Sequence, residues 1–307
     1  MSWHLFGNIL TSYGTAANNR GENEGNITTL QKILWQGEVH STVSAEAIRW
    51  ALRYYWQTCG HYEVNRRWND FINDNEWQNE NFDDTQYIDD DVLGFMRAEA
   101  AKAEANDEEE PADGKKKKKS PPKGTATVKR GVLEVTRAIS TTPFAGDITF
   151  NAASGAKGRT SLYGAEVHAT RYQYGFALTP NRLKVQSRIH AVLDGLTSLG
   201  KVGGNHSRFL YDFAPDSIIL RWTHDFAPRI LYCFVEEDGM ISVPDLLRRI
   251  EAEDIDPQEL WVAGAITNTD DGEELKARGV NLFAGIKEAV TDLKAKINED
   301  LNLNLEE

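Results

Sequence analysis

Cysteine is scarce in this chain: Cys59 and Cys233 are its two thiols, far apart and in no CxxC or Cys/His spacing. That excludes a disulfide framework or a zinc site built on thiolates, and both are expected as reduced fillers of the interior. No apolar run approaches the roughly 20 residues of a membrane span. The start, Met1-Ser2-Trp3-His4-Leu5-Phe6, also lacks the basic-then-apolar pattern of a signal peptide, so a cytoplasmic protein with no membrane partner is expected. The motifs HExxH, GxSxG, the Walker loop and GxGxxG are all missing. The 7 histidines are scattered with no pair at ligand spacing. Glu22 and Glu24 sit in a flexible loop, and Asp83-Asp84 and Asp89-Asp90-Asp91 read as a solvated face. No enzyme, metal site or cofactor is expected.

What is present suits a folded protein. Of 307 residues 40% are hydrophobic, with 12 Phe, 10 Tyr and 8 Trp, enough for one large domain or two small ones. The net charge of −13 argues at first against a polyanionic partner. The charge is sorted into blocks, however. Residues 68–114 carry 16 acidic and 2 basic side chains, whereas residues 120–230 carry 14 basic and 7 acidic. A basic centre between acidic flanks fits a protein with one face for polyanion and others for protein neighbours, and it equally fits a merely soluble surface.

Along the chain, His4 to Leu10 reads as a strand ending at the turn residues Ser12, Tyr13 and Gly14. The loop TAANNRGENEGN, Thr15 to Asn26, is too rich in Asn and Gly for a helix. Ser44 is a good N-cap for a helix to Thr58, with Val43 and Ile48 as a staple and Ile48, Ala51, Leu52 and Tyr55 as its apolar stripe. Residues 68 to about 97 are acidic and aromatic and suggest a small packed insertion; Ala98 to Gly124 is low-complexity, and its run Lys115 to Lys119 reads as part of a solvated loop balancing its acidic half, with a nuclear-localisation or nucleic-acid patch as the alternative. Ala138 to Gly164 has the composition of a projecting β-hairpin, followed by a basic strand over Glu166–Leu178. The spacing then predicts a helix from about Leu183 to Leu199, strands at Ser217–Thr223 and Ile230–Val235, and a short helix near Pro244–Ile250. A strand Leu260–Ile266 and an amphipathic helix through Leu282, Ile286, Val290, Leu293 and Ile297 complete the chain. This order is that of an α+β protein, compatible with a ferredoxin-like sheet carrying large insertions.

Three groups of residues have the chemistry of polyanion binding. Arg49 and Arg53 lie one helical turn apart, opposite the apolar stripe, and reach a common ligand if that face is free. Gly203-Gly204-Asn205-His206-Ser207-Arg208 has the parts of an anion-binding nest, or of an ordinary helix C-cap. His168-Ala169-Thr170-Arg171-Tyr172-Gln173-Tyr174 interleaves basic and aromatic side chains, which suits stacked bases and equally suits cross-strand packing.

Four segments in order, SYGTAANNRGENEGNITTLQKILWQGEVHSTVSAEAIRWALRYYW, ISTTPFAGDITFN, HATRYQYGF and GKVGGNHSRFLYDFAPDSIIL, resemble the DevR-type backbone subunit of type I-B CRISPR effector complexes over most of residues 3–235. The resemblance implies an RRM-like palm (residues 1–67 and 126–300), inserted fingers (68–125, with a disordered loop near 98–124) and a thumb hairpin (139–166) bearing Phe144, Ile148 and Phe150. It implies a non-catalytic Cascade subunit that polymerises along CRISPR guide RNA and presents its bases to target DNA. Its partners would be the guide RNA, target DNA through that RNA, further copies of itself and the other Cascade subunits. Asn18, Asn19, Arg20, Ser44, Arg49, Arg53, Asn205, His206 and Arg208 would hold the RNA backbone, with His168 and Arg171 beside them. Type III relatives cut RNA with an Asp in the first loop, where this chain has none. A ribonuclease acting through Glu22 or Glu24, and a standalone regulatory RNA-binding protein, are the alternatives.

Overall fold

The structure is a computed structural model that describes residues 1–17, 20–98, 126–153, 161–203 and 210–303, with the side chains at 20–22, 97, 98, 126, 151, 153 and 161 outside the description. Asn18, Asn19, Asn205, His206, Arg208, the Lys115–Lys119 run and the side chain of Arg20 therefore lie outside the described residues, as does the loop expected near 98–124 for nearly all its length.

The chain opens with β1 (His4–Thr11), β2 (Gly14–Ala16), β3 (Arg20–Glu24), β4 (Ile27–Leu30), β5 (Lys32–Trp35) and β6 (Glu38–Val43), then α1 (Ala45–Cys59). The next segment holds β7 (Arg66–Asn69), β8 (Asp74–Trp77), α2 (Ile88–Val92), β9 (Gly94–Ala98) and β10 (Ala126–Arg130). It is followed by β11 (Glu134–Val135), β12 (Ala138–Ser140), β13 (Asp147–Ala153), β14 (Ser161–Thr170), β15 (Tyr172–Leu178) and α3 (Arg188–Leu196). The C-terminal part is β16 (Pro215–Thr223), β17 (Val235–Glu237), β18 (Met240–Ser242), α4 (Pro244–Glu251), β19 (Leu260–Gly264), α5 (Asp270–Ala277), β20 (Asn281–Phe283) and α6 (Ile286–Leu301).

A 9-stranded sheet in the order β20-β19-β16-β1-β15-β12-β6-β5, with β11 also paired to β15, makes this a mixed α+β protein. β1 lies between β15 and β16, antiparallel to both. Every residue of β1 is buried, as befits a central strand with both faces covered. Leu5 and Ile9 enter one core with Ile48, Leu52 and Trp56 of α1, Ile189 and Leu193 of α3, and Leu293 of α6. Phe6 and Leu10 enter a second core with Ile219, Ile230, Leu246, Ile250 and Leu275 on the opposite face. The side-chain period of 2 thus divides one apolar strand between two cores. At Gly7 an added Cβ would lie 2.1 Å from the Phe176 ring, so the missing side chain is what lets that ring lie across the sheet.

α1 follows its sequence signals. The Ser44 side chain accepts from the Ala47 N–H at 3.2 Å, Gly60 closes the helix at φ 73°, and Trp56 joins the expected stripe, fully buried with its Nε1 donating to Ala191 O at 3.1 Å. Other elements differ from expectation: the expected loop Thr15–Asn26 carries most of β2 and all of β3, the strand expected over Glu166–Leu178 is divided at Arg171 between β14 and β15, and Leu282, expected in the last helix, lies in β20, so that α6 starts at Ile286. The helix expected from Leu183 begins at Arg188, because Pro180–Arg182 forms a 3-10 turn first. Ile230–Val235 is not a strand: Arg229 and Tyr232 take positive φ (56° and 54°), and this folded loop buries Ile230, Cys233 and Phe234 in the second core. Cys233 is buried and Cys59 half-buried, both as free thiols. Among the described residues no helix is long and apolar enough to cross a membrane.

Candidate nucleic-acid interface

The C-terminal end of β1 is where distant motifs meet. The β1–β16 register shifts between Leu10 and Thr11, and the chain turns through Ser12 and Tyr13 into β2, which pairs Gly14 with Thr170 and Ala16 with His168. The Thr11 Oγ1 accepts from the Tyr172 N–H at 2.9 Å. Tyr211, on the far side of α3 in sequence, brings its phenol to the same spot: its oxygen lies 2.7 Å from Thr11 Oγ1, and its O–H points to Ser12 O (3.0 Å) and Thr170 O (3.1 Å). The Phe213 N–H donates to Gly200 O at 3.2 Å, so the segment between them leaves and returns at one place. Parts of three of the four segments that carry the resemblance thus face one another. Their outer rim is exposed at Tyr13, Thr15, Ala169 and Asp212.

Several expected contacts are instead engaged within the fold. Arg171 donates to Asp216 at 2.6 Å and to Thr11 O at 3.2 Å, so its charge is already paired. His168 is 5% exposed and its Nδ1 is bonded to Ser41 Oγ at 2.7 Å, with burial as the main cause of a lowered pKa. Tyr172 and Tyr174 are fully buried, which overturns a base-stacking role for them and leaves cross-strand packing. His168, Ser41, Tyr172 and Thr142 form a buried polar seam, continued by His40, whose Nδ1 lies 2.7 Å from Ser140 O.

The Arg49 and Arg53 face of α1 is likewise covered. Arg49 donates to Leu93 O at 2.5 Å and Leu133 O at 3.2 Å, and Arg53 lies 3.2 Å from the Asp89 carboxylate. A common free ligand is therefore not what they face; they clamp the inserted segment onto α1, and burial lowers the pKa of both guanidinium groups. The triple Asp is not the solvated face its composition suggests either. Asp89, Asp90 and Asp91 are 2%, 1% and 0% exposed. Asp89 accepts from the N–H groups of Asn65 (2.7 Å) and Arg66 (3.0 Å). Asp90 accepts from Asn65 Nδ2 (2.8 Å) and the Asp83 N–H (3.0 Å), and burial pushes its carboxyl up to about 6. Asp91 accepts from Lys129 (2.9 Å), Arg188 (2.8 Å) and the Lys184 N–H (3.0 Å). Burial alone would raise the Asp91 pKa, but these donors pull it below the ordinary carboxylate value.

The hairpin of β13 and β14 has the opposite character. It is extended into a 5-stranded sheet by β4 and β3, with β2 also paired to β14. Ile148 faces Glu166, Phe150 faces Gly164 and Ala152 faces Leu162, so all six lie on one side of the ribbon. On that side Ile148, Phe150 and Leu162 are 40%, 75% and 64% exposed. Nearer the body, Phe144 is half-buried, edge-on to His168 with 5.4 Å between ring centroids and under Lys32 Nζ at 4.5 Å; Lys32 also pairs with Glu166 at 2.6 Å.

A curated relative from Myxococcus xanthus (strain DK1622), described as CRISPR-associated protein Cas7/Cst2/DevR, is 45% identical over 305 residues, covering 93% of this chain and 95% of its own. This chain belongs to the Cas7/Cst2/DevR family. A scan against protein-family profiles finds no match. Among solved structures, a chain of a CRISPR RNA-guided surveillance complex superposes with a TM-score of 0.55 at 15% identity, over 96% of this chain and 100% of that one. A chain from such a complex described as pre-nicking gives 0.57 at 10% identity, over 95% and 99%. At that identity the likeness is one of fold.

Two participants were not singled out from the sequence: Tyr211 lies unremarked within the fourth segment, and the triple Asp reads as surface. The partners that make both polar anchors are remote in sequence: Thr11 lies 200 residues from Tyr211, and Arg188 lies 97 residues from Asp91.

Proposed function

We propose that this Cas7/Cst2/DevR-family chain is a guide-RNA-binding subunit that polymerises along CRISPR RNA as the backbone of a Cascade effector, leaving base edges free to pair with target DNA. The 45% identity across nearly the whole length carries the reading. In such a templating role the protein fixes phosphates and base pairing supplies sequence specificity. The order β16-β1-β15-β12 with α1 and α3 on one face supports a ferredoxin-like, RRM-like palm. We assign residues 68–125 to fingers and residues 139–166 to a thumb, its exposed Ile148 and Phe150 suited to the next copy or to a displaced base. RNA would lie along the rim at the end of β1, where Asn18, Asn19 and Arg20 follow β2 and where the chain bearing Asn205, His206 and Arg208 leaves and returns. Ser44 serves as the α1 cap in this reading, and Arg49, Arg53, His168 and Arg171 support the surface from beneath.

The reading is of a binding subunit rather than a nuclease, since the first loop carries no Asp. Native mass spectrometry of the chain purified with its co-expressed operon tests the assembly: several copies on one RNA are expected, and an RNA-free monomer would refute it. Incubation with labelled target RNA and Mg²⁺ or Mn²⁺ tests the chemistry. Cleavage abolished in a Glu22→Ala, Glu24→Ala double variant would establish the nuclease instead.

A further inference from the structure

The turn Ser12-Tyr13-Gly14 is held by a group far from it in sequence. The Tyr211 side chain is 2% exposed, yet its phenol oxygen is within hydrogen-bond distance of Thr11 Oγ1, Ser12 O and Thr170 O. One hydroxyl carries one proton, so Tyr211 shares it between the two carbonyls while its oxygen accepts from Thr11. Burial raises the phenol's pKa above its ordinary value, so the proton stays in place. The ring matters as well: a Cβ added at Gly14 would lie 3.4 Å from two Tyr211 ring carbons, so the turn is seated directly on the ring. The same turn leaves Tyr13 57% exposed, on the rim where Thr15 and Ala169 are also open. A buried hydroxyl serving the first loop and the β14–β15 junction ties an exposed aromatic to the rigid sheet. An aromatic ring presented on such a rim is a stacking platform for an unpaired base.

We propose that Tyr211 is a positioning residue for nucleic-acid binding, holding the Ser12–Gly14 turn so that Tyr13 stacks on a base of single-stranded RNA. The inference rests on the proposed RNA-binding function and names the ring that meets the RNA and the hydroxyl that places it. A merely structural Tyr211 would stabilise the fold without being coupled to Tyr13, and this separates the two roles.

The test is a double-mutant cycle on the full chain with a labelled, unstructured single-stranded RNA, combining Tyr211→Phe with Tyr13→Ala and reading affinity beside thermal melting. Tyr13→Ala is expected to weaken binding about tenfold, within the range for one stacked base. Tyr211→Phe is expected to weaken it by a similar factor, and the double variant no further than either alone. Additive losses, or Tyr211→Phe binding as wild type does, would overturn the inference. If Tyr211→Phe lowers the melting temperature, binding is read below both transitions, where the coupling with Tyr13→Ala still decides. Wild-type protein that binds no RNA would overturn the functional reading itself, an outcome distinct from an uncoupled cycle.

Discussion

The base of α2 and the hairpin of β13 and β14 invert the usual distribution of side chains in opposite ways. At α2 three consecutive carboxylates are buried, each answered by donors from its own chain: Arg53 and Asn65 before it, Lys129 and Arg188 after it. At the hairpin Phe150 and Leu162 are mostly exposed, and Ile148 partly so, among the described residues. Buried charge persists only where it is paired and hydrogen-bonded, so the α2 region is complete within the monomer. A row of exposed apolar side chains on one face of a ribbon is the mark of a surface whose cover lies outside the chain. One region joins the inserted segment to the body, and the other is the face that the proposed assembly would use.

The comparison breaks most visibly at Asp91. Its replacement by Ala leaves the buried Arg188 without its carboxylate partner, while Lys129 keeps Asp84, and is expected to cost ~3–5 kcal/mol in urea unfolding. A loss under 1 kcal/mol would show that water or another carboxylate takes its place. The next effect is a pH dependence. With its carboxyl near 6 when folded and ~3.9 when unfolded, Asp90 contributes stability that is fully present below about pH 4 and lost as pH rises through 6. Stability measured from pH 4 to 7 should therefore fall in the wild type relative to Asp90→Asn, with a slope of at most roughly 1.4 kcal/mol per pH unit between the two pKa values; parallel curves would place Asp90 in water. The smallest stability effect belongs to the hairpin. Ile148→Ala with Phe150→Ala is expected to change the RNA-free protein's stability by no more than ~0.5 kcal/mol per site, against ~3–5 for a Phe in a core. It should nonetheless shorten the RNA protected from nuclease, and a large drop in melting temperature with normal protection would return these residues to the monomer's own core.

Local signals were legible wherever one element satisfied them. The Ser44 cap and the 48/51/52 spacing marked α1, and the apolar run of β1 marked a strand, though not its central place in the sheet. The exposed ribbon was also foreseeable, since Gly, Thr and isolated apolar residues over 138–164 suit a projecting hairpin more than a core strand. Long-range polar pairing was not legible. Arg49 and Arg53 look free on a helical wheel because the carbonyl of Leu93 and the carboxylate of Asp89 arrive from a later segment. The alternating Tyr172 and Tyr174 suit a stacking face until α1 and α3 cover that side of the sheet. At the candidate interface the motifs could be named in order along the chain, but Tyr211 became visible only once Thr11, Ser12 and Thr170 stood around it.

If the next copy on the same RNA covers the hairpin's open face, chains should add along the RNA one after another. Nuclease protection of a long single-stranded RNA, followed as the ratio of protein to RNA is raised, tests this most directly. Protected lengths that grow in equal steps, one per added chain, are predicted. A single footprint that never lengthens as chain is added would contradict it.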